Sequence, residues 1–183
     1  MLATENLMKE HQLILKYVDL MERYAGFSLK QPDTPLLLEK AADFIAFIHE
    51  FADHFHHAKE EDCLFRYLAE PGVLTHCNPV PQMLMEHEKA RGYVRNMEQA
   101  LQAKVLNALA DNAAQYARLL KEHIYKEDNI LYPMGEQGLS DAAKTALLQD
   151  YDRTDKRLDS PAIWRKYEAL YSELEQGLDV LVG

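Results

Sequence analysis

The chain has 183 residues, a net charge of −10, and a composition that is 48% hydrophobic and 27% charged. A chain of this length can bury one full hydrophobic core, and its negative charge argues against nucleic acid and anionic membranes as partners. No apolar run approaches the ~20 residues of a membrane-spanning helix, and the first residues lack the apolar core of a signal peptide, so we expect a cytoplasmic protein.

Glycine is scarce, with 7 among 183 residues, and long segments contain neither glycine nor proline. This pattern is typical of an all-α protein. Helices are predicted at about 4–24, 35–69, 79–104, 107–134 and 140–153, and a last helix begins at Ser160; Thr4 and Ser160 are the expected N-caps. The four long helices predict an antiparallel up-down four-helix bundle over about 4–135. A C-terminal helical extension over about 140–181 belongs to the same single domain of residues 1–183.

Two segments on the second and fourth predicted helices share one pattern. HHAKEEDCLF begins at His56, and HIYKEDNILY begins at His123. Aligned without gaps, both follow H-x-x-x-E-x-x-x-L and then Phe or Tyr, which pairs His56 with Glu60 and His123 with Glu127. Residues four apart lie on one face of an α-helix, so each pair is expected to point in one direction.

The apolar stripe of the second helix tests whether His56 or its neighbour His57 faces inward. Each residue of an α-helix turns roughly 100° about the axis, so His57 lies about 100° further from the stripe than His56 does. The helix phase and the repeat both favour His56. We therefore expect His57, with His54 and His76, at the surface, and we expect Glu60 somewhat off the stripe.

Four histidines, one on each long predicted helix, are expected to meet at one level. In an up-down bundle, residues at one level are equally far from the turn that joins their helices. The midpoints between His11, His56, His87 and His123 are 33–34, 71–72 and 105, and all three fall at predicted breaks.

Four inward imidazoles and two inward carboxylates form a plausible set of metal ligands. A lone histidine on an apolar face is usually an ordinary core or surface residue, but the repeated motif at matching levels favours ligation. A lone buried carboxylate is costly, so Glu60 and Glu127 require a partner. Iron suits this mixed nitrogen and oxygen set, with manganese and zinc as alternatives.

These segments resemble the hemerythrin-like family, the HHE cation-binding domains. The resemblance lies in the two repeated segments, in EHQLI around His11 and in MEHEKARG around His87, and it covers about residues 4–135. It implies two iron ions joined by an oxo or hydroxo bridge within a four-helix bundle. By match to the motifs, the bridging carboxylates are Glu60 and Glu127, and the terminal ligands are His11, His56, His87 and His123.

The sequence departs from the oxygen-carrying hemerythrins on two helices. Those carriers have H-x-x-x-H on helix three, whereas Met83 lies four residues before His87 and Arg91 lies four after it. They also have H-x-x-x-x-D on helix four, where this chain has H-x-x-x-E with Asp128 as the fallback ligand. The four-histidine pattern resembles the subset linked to nitric oxide or peroxide handling and to repair of iron centres. Repair proteins usually carry an additional N-terminal cysteine-containing domain, and this chain begins ten residues before His11, which argues against repair.

Several other residues are candidates to support the ligands through hydrogen bonds. They are Tyr17, Tyr93, Tyr116, Tyr132 and His49, although core packing is the ordinary role for the tyrosines. Cys63 is expected to be a small buried thiol close to the site.

Three functions are compatible with this set of residues. The first is reversible binding of a diatomic ligand such as O2 or NO, as a store or sensor. The second is a di-iron oxidoreductase that consumes peroxide, NO or O2, for which Met83 in place of a ligand leaves a metal position open. The third is a non-redox helical protein used for interactions with other proteins. We favour a di-iron protein, with binding and redox chemistry evenly weighted and a homodimer left open.

Overall fold

The structure, a computed structural model, describes residues 2–182, and helices account for most of them. The α-helices are α1 (Glu5–Lys30), α2 (Leu36–Phe47), α3 (Phe65–Leu68), α4 (Val80–Gln102), α5 (Leu106–Lys126), α6 (Tyr132–Gly138), α7 (Asp141–Arg157) and α8 (Ser160–Val182). Three π-helical runs are continuous with them: Ile48–His57 and Glu60–Leu64 lie between α2 and α3, and Glu127–Leu131 lies between α5 and α6. The predicted all-α class is confirmed, and the interruptions at 31–35, 69–79 and 103–105 contain the midpoints between the histidines.

The prediction for α1 was wrong in two respects, its last residue and its N-cap. Helix α1 continues past Gly26 to Lys30, because Ser28 is buried on its inner face and its hydroxyl accepts a hydrogen bond from the Leu37 amide at 2.8 Å. Thr4 precedes α1 but does not cap it; its amide and its hydroxyl both donate to Glu136 Oε1 in α6, at 2.9 and 3.1 Å. The start of α1 is thus held by tertiary contact with another helix.

Four long helices contact one another in a closed cycle. We call residues 36–68 the second long helix and residues 106–138 the fourth long helix. Helix α1 packs against α2 and α5, and α4 packs against the same two helices. Helix α8 packs on α1 and α2, where the hydroxyls of Tyr17 and Tyr24 each donate to a carbonyl oxygen of α8 at 2.7 Å.

Helix α7 contacts the π-helical run Glu60–Leu64. The C-terminal helices therefore touch the segment that carries one of the predicted ligands. Across residues 2–182, no helix is both long and apolar enough to cross a membrane.

A polar layer separates two apolar clusters along the four long helices. The larger cluster includes Tyr17, Phe47, Phe51 and Tyr116, and the smaller one includes Leu7, Leu64, Leu68 and Tyr132. On each long helix the predicted histidine lies between residues of one cluster and residues of the other, as His11 does between Leu7 and Leu13. Apolar packing on both sides thus shields the histidines from water, which strengthens electrostatic interactions within the layer.

Candidate metal centre

The structure brings the six predicted ligand residues together in the polar layer, and all six are buried. They form two groups that share Glu60, and within each group one ligand atom per residue lies within 4.8 Å of the others. The first group is His11, His56, Glu60 and Glu127; the second is His57, Glu60, His87 and His123. These His and Glu clusters fit a metal site, and His57 is an addition to the predicted set.

Each carboxylate lies between one imidazole of the first group and one of the second. Glu60 Oε2 is 3.6 Å from His56 Nε2 and 3.4 Å from His87 Nε2. The two oxygens of Glu127 are 3.4 Å from His11 Nε2 and 3.2 Å from His123 Nε2. Each carboxylate would therefore be within reach of an ion held by either group.

Unpaired oxygens mark the centre of the site. Glu60 Oε2 and both carboxylate oxygens of Glu127 are buried and have no hydrogen-bond partner, although buried polar groups in proteins are almost always paired. Around them, His11 Nε2 lies 2.9 Å from His56 Nε2, and His87 Nε2 lies 3.0 Å from His123 Nε2. A metal–nitrogen bond is about 2.1 Å, so two nitrogens at a right angle around one ion lie about 3 Å apart. The residues present thus fit a pair of metal ions.

The prediction that His57 lies at the surface was wrong. His57 is 4% exposed, its ring stacks on that of His87 with centroids 3.7 Å apart, and it belongs to the second group. The physical reason is the π-helical run Ile48–His57. Its i→i+5 hydrogen bonds widen each turn, so each residue rotates less than the 100° that the prediction used. His57 consequently lies beside His56 on the inner side. His54 and His76 are exposed, as predicted.

Every imidazole in the site has a carboxylate against its outer nitrogen. The Nδ1 atoms of the five histidines lie 2.7 to 3.0 Å from carboxylate oxygens. The pairs are His11 with Asp128, His56 with Glu10, His57 with Asp53, His87 with Glu61, and His123 with Glu86. When Nδ1 donates to a carboxylate, Nε2 is left with its lone pair toward the centre, and the pairing makes it a stronger donor to a metal.

Basic side chains hold these outer carboxylates in place. Lys59, itself 2% exposed, donates to Glu10 and to Asp155 of α7. Lys126 donates to Glu86 in the corresponding position of the repeat. Arg91 donates to Asp53 and Glu61, which orient two imidazoles of the second group. The metal-facing layer is thus surrounded by a layer of paired charges.

The charges of the site shift the pKa values of its members. Burial lowers the pKa of His11, but its hydrogen bond to Asp128 and the nearby carboxylate of Glu127 outweigh burial and raise the value to about 10. Burial also lowers the pKa of His87, but the nearby carboxylate of Glu60 and the hydrogen bond to Glu61 outweigh burial and raise the value to about 9. Burial and mutual repulsion would raise the pKa values of Glu60 and Glu127, but the neighbouring imidazoles hold both below the usual range. Bound protons thus balance the buried carboxylates in a chain without metal, and metal binding would release them.

At His57 the pKa shifts in the other direction, because burial is not outweighed there. Burial and the positive charge of His87 lower its pKa to about 4, against the opposing effect of the hydrogen bond that His57 donates to Asp53. Its imidazole is therefore neutral near pH 7, which is the form that binds a metal.

Tyr132 is the one predicted supporting residue that touches the ligands. Its hydroxyl donates to Glu60 Oε1 at 2.6 Å and lies 3.4 Å from His11 Nε2. The prediction for His49 was wrong, because that side chain is half exposed and contacts Glu98. Tyr17 and Tyr116 belong to the larger apolar cluster, and Tyr93 lies at its edge.

Asp128 and Cys63 lie next to the site. Asp128 lies behind His11 on Nδ1, on the side of the ring away from the centre. Cys63 is buried, as expected, and its Sγ is 3.8 Å from Thr154 Oγ1 of α7.

The sequence contains matching signals for the outer carboxylates. Glu10-His11 and Glu86-His87 are the same dipeptide, and each glutamate serves the histidine of another helix. Lys59-Glu60-Glu61 and Lys126-Glu127-Asp128 also match within the repeated segments. The repeat therefore extends from the ligands to the residues that orient them.

Fold and site together define a helical protein with buried histidine and glutamate clusters that fit a metal site. The model of the hemerythrin HHE cation-binding domain matches residues 2–135, and the chain belongs to this family. The resemblance drawn from the motifs is thereby confirmed.

The curated relatives include the uncharacterised proteins Rv1995 of Mycobacterium tuberculosis H37Rv and Mb2018 of Mycobacterium bovis. Each is 24% identical over 187 aligned positions, which cover 97% of this chain and 71% of the relative. This similarity extends beyond the family domain into the C-terminal helices.

Proposed function

We propose that the chain holds two iron ions at this centre and uses them to bind a small ligand such as O2 or NO. The scaffold in this proposal is an antiparallel up-down bundle of the four long helices. The iron ligands are His11, His56, His87, His123, Glu60 and Glu127, with His57 as a further donor. Iron held by imidazoles and carboxylates supplies one-electron chemistry and open positions for a small molecule.

The observation that carries the proposal is the set of unpaired buried oxygens on Glu60 and Glu127. Leaving buried carboxylate oxygens unpaired is costly, and the chain leaves three such oxygens in one layer, one on Glu60 and two on Glu127. Cations between the two groups would satisfy these oxygens at once. The mixed imidazole and carboxylate set favours iron among such cations.

The two groups differ in how much room they leave for a ligand. Glu60 belongs to both groups, and Glu127 of the first group also lies 3.2 Å from His123 Nε2 of the second. Apart from these two carboxylates, the first group contributes two imidazoles and the second contributes three. The first group therefore has fewer protein donors, and a small external ligand would bind on that side.

Metal analysis tests this proposal directly. After anaerobic loading of the full chain with ferrous iron and removal of excess metal, we expect about two irons per chain. Exposure to NO or O2 should then give a visible spectrum that disappears on purging with inert gas. Zinc alone, or no metal even after loading, would contradict the proposal.

Tyr132 favours a second function, an oxidoreductase that acts on peroxide. Its hydroxyl, held by Glu60 Oε1 at 2.6 Å, lies 3.4 Å from His11 Nε2 in the group with fewer donors. Burial and the charges of Glu60 and Glu127 raise its pKa well above the usual range, so the phenol keeps its proton. It is thus placed to donate that proton to a bound molecule.

The matched assay is peroxide disproportionation, in which two H2O2 give two H2O and one O2 without an external reductant. Tyr132→Phe should lower the rate by about tenfold or more if the phenol acts as a general acid. The iron content should stay unchanged, and exposed Tyr125→Phe serves as the control. No turnover in the parent chain, or equal rates for all three, would leave reversible binding as the better description.

A further inference from the structure

A cavity of about 270 Å³ lies beside the metal centre, between the second long helix and α4. Its lining includes Ile48, Ala90, Val94 and Tyr116, with Asp53, His57 and two arginines among them. A mostly apolar wall with a few charged groups is the usual composition of a small-molecule site. The volume far exceeds that of a diatomic ligand, since one water occupies about 30 Å³.

The cavity coincides with the local irregularity of the second long helix. All four residues that this helix contributes, Ile48, His49, Asp53 and His57, lie in the π-helical run Ile48–His57. On the fourth long helix, α5 remains α-helical through Lys126, past His123. Departures from α-helical geometry of this kind are frequent at functional sites.

The corresponding face of α1 carries a different set of side chains. Aligning His11 with His87 pairs Ile14 with Ala90, Leu15 with Arg91, and Asp19 with Arg95. Ile14 is buried in the apolar cluster on α1, whereas the smaller Ala90 lines the cavity on α4. The side chains that line the cavity on α4 are therefore not repeated on the corresponding face of α1.

Arg95 gives the cavity a positive edge. It is exposed, it lines the cavity, and it forms no ion pair with any residue between positions 2 and 181. Arg91 is already bound to Asp53, Glu61 and Glu88. A suitable ligand would pair an acidic group with the guanidinium of Arg95. It would also pack an apolar chain against the wall formed by Ile48, Ala90 and Val94.

We propose that this cavity binds a small organic monoanion with a short apolar chain, such as a medium-chain carboxylate. The carboxylate would form a charge-assisted hydrogen bond with Arg95, and the chain would extend toward Tyr116. This inference does not rest on the proposed function. His57 belongs to both the cavity wall and the second metal group, so a molecule in the cavity would contact the ring that supports one ion.

The test is calorimetric titration of the full chain, as purified, with octanoate, 1-octanol and octylamine. We expect octanoate to bind at least about fivefold more tightly than the neutral or cationic analogues, because only octanoate pairs with the guanidinium. Arg95→Gln should remove this preference, and Ala90→Leu should abolish binding by filling the cavity. Asp19→Asn on the corresponding face of α1 is the control and should bind octanoate as the parent does.

Several results would overturn the proposal. They are equal binding of the three analogues, unchanged octanoate binding in both Arg95→Gln and Ala90→Leu, or no binding at millimolar octanoate. A titration after removal of metal, with helicity checked by circular dichroism, separates the two proposals. Binding that persists without metal supports the cavity even if the chain proves to hold no iron, and binding that is lost while the helices persist assigns octanoate to the metals and refutes the cavity site.

Discussion

The two halves of the candidate metal centre are built from the same parts and differ mainly in one added unit. We call His11, His56 and the outer carboxylates behind them the first half, and His87, His123 and theirs the second half. Each half takes an outer glutamate from the residue before its first histidine, and each has a lysine on that glutamate. The second half alone adds His57, with Asp53 on its Nδ1 and Arg91 on Asp53.

This difference shows how one repeated motif can yield two unequal groups of candidate metal ligands. The shared parts set the spacing, because both halves use Glu60 and Glu127 between them. The added unit gives the second half a third imidazole, whereas the first half has the phenol of Tyr132 at its edge. The second half is thus suited to hold an ion firmly, and the first half to leave room for a ligand.

Glu60→Gln should have the largest effect, because it removes what the halves share. The amide lacks the charge that offsets two cations, and Glu60 contacts both groups. We expect iron content to fall from about two per chain to below one. The measurement is metal analysis after loading, with exposed Glu70→Gln as the control. Two tightly held irons in Glu60→Gln would disprove the shared-carboxylate arrangement.

His57→Ala should weaken the second half selectively. Removal of one of its three imidazoles leaves it with the donor count of the first half, so we expect one of the two irons to become labile to a chelator. Exposed His54→Ala, three residues earlier in the same π-helical run, is the matched control. If His57→Ala kept both irons as firmly as the parent, His57 would be a buried residue that does not bind metal, and the second half would not have a third imidazole ligand.

The inward position of His57 could not be predicted from the periodicity of the sequence. The repeat and the helix spacing predict the positions of His56, Glu60, His123 and Glu127. They do so because residues four apart stay on the same helix face when the helix geometry changes slightly. The position of His57 depends on the cumulative rotation over a π-helical run, and neighbouring residues in the sequence do not specify that run. The phase argument failed because it extended α-helical rotation through ten residues that do not follow it.

The outer carboxylates were missed for a different reason. Glu10 and Glu86 each act on a histidine of another helix, His56 and His123. Within one helix, each lies next to a ligand and not one turn away from it, so spacing rules overlook the relationship. The matching Glu-His dipeptides indicate that the two glutamates have the same role. The packing of the helices is needed to show which histidine each glutamate contacts.

Glu10→Gln and Glu86→Gln should have intermediate and similar effects. Either change removes the carboxylate that orients an imidazole, and loss of such a partner typically costs 10–100-fold in metal affinity. Competition with a chelator measures the affinity, and Glu5→Gln on the same helix as Glu10 controls for the change of charge. A large loss for one variant and none for the other would mean that the halves are less alike than their geometry indicates.

Asp155→Asn should have the smallest effect and should act on the first half only. Asp155 of α7 accepts a 2.9 Å hydrogen bond from buried Lys59, which holds Glu10 behind His56. Lys126, the counterpart, is more exposed, and Glu86 is its only carboxylate partner among the described residues. Losing one charged hydrogen bond should lower the free energy of unfolding by about 1.5–3 kcal/mol and weaken one metal position by a few fold. Chemical denaturation and chelator competition measure these effects, with Asp152→Asn on exposed α7 surface as the control. Equal weakening of both irons would contradict this prediction, because the Lys59–Asp155 hydrogen bond reaches only Glu10 and His56 of the first half. It would mean that α7 supports the whole site.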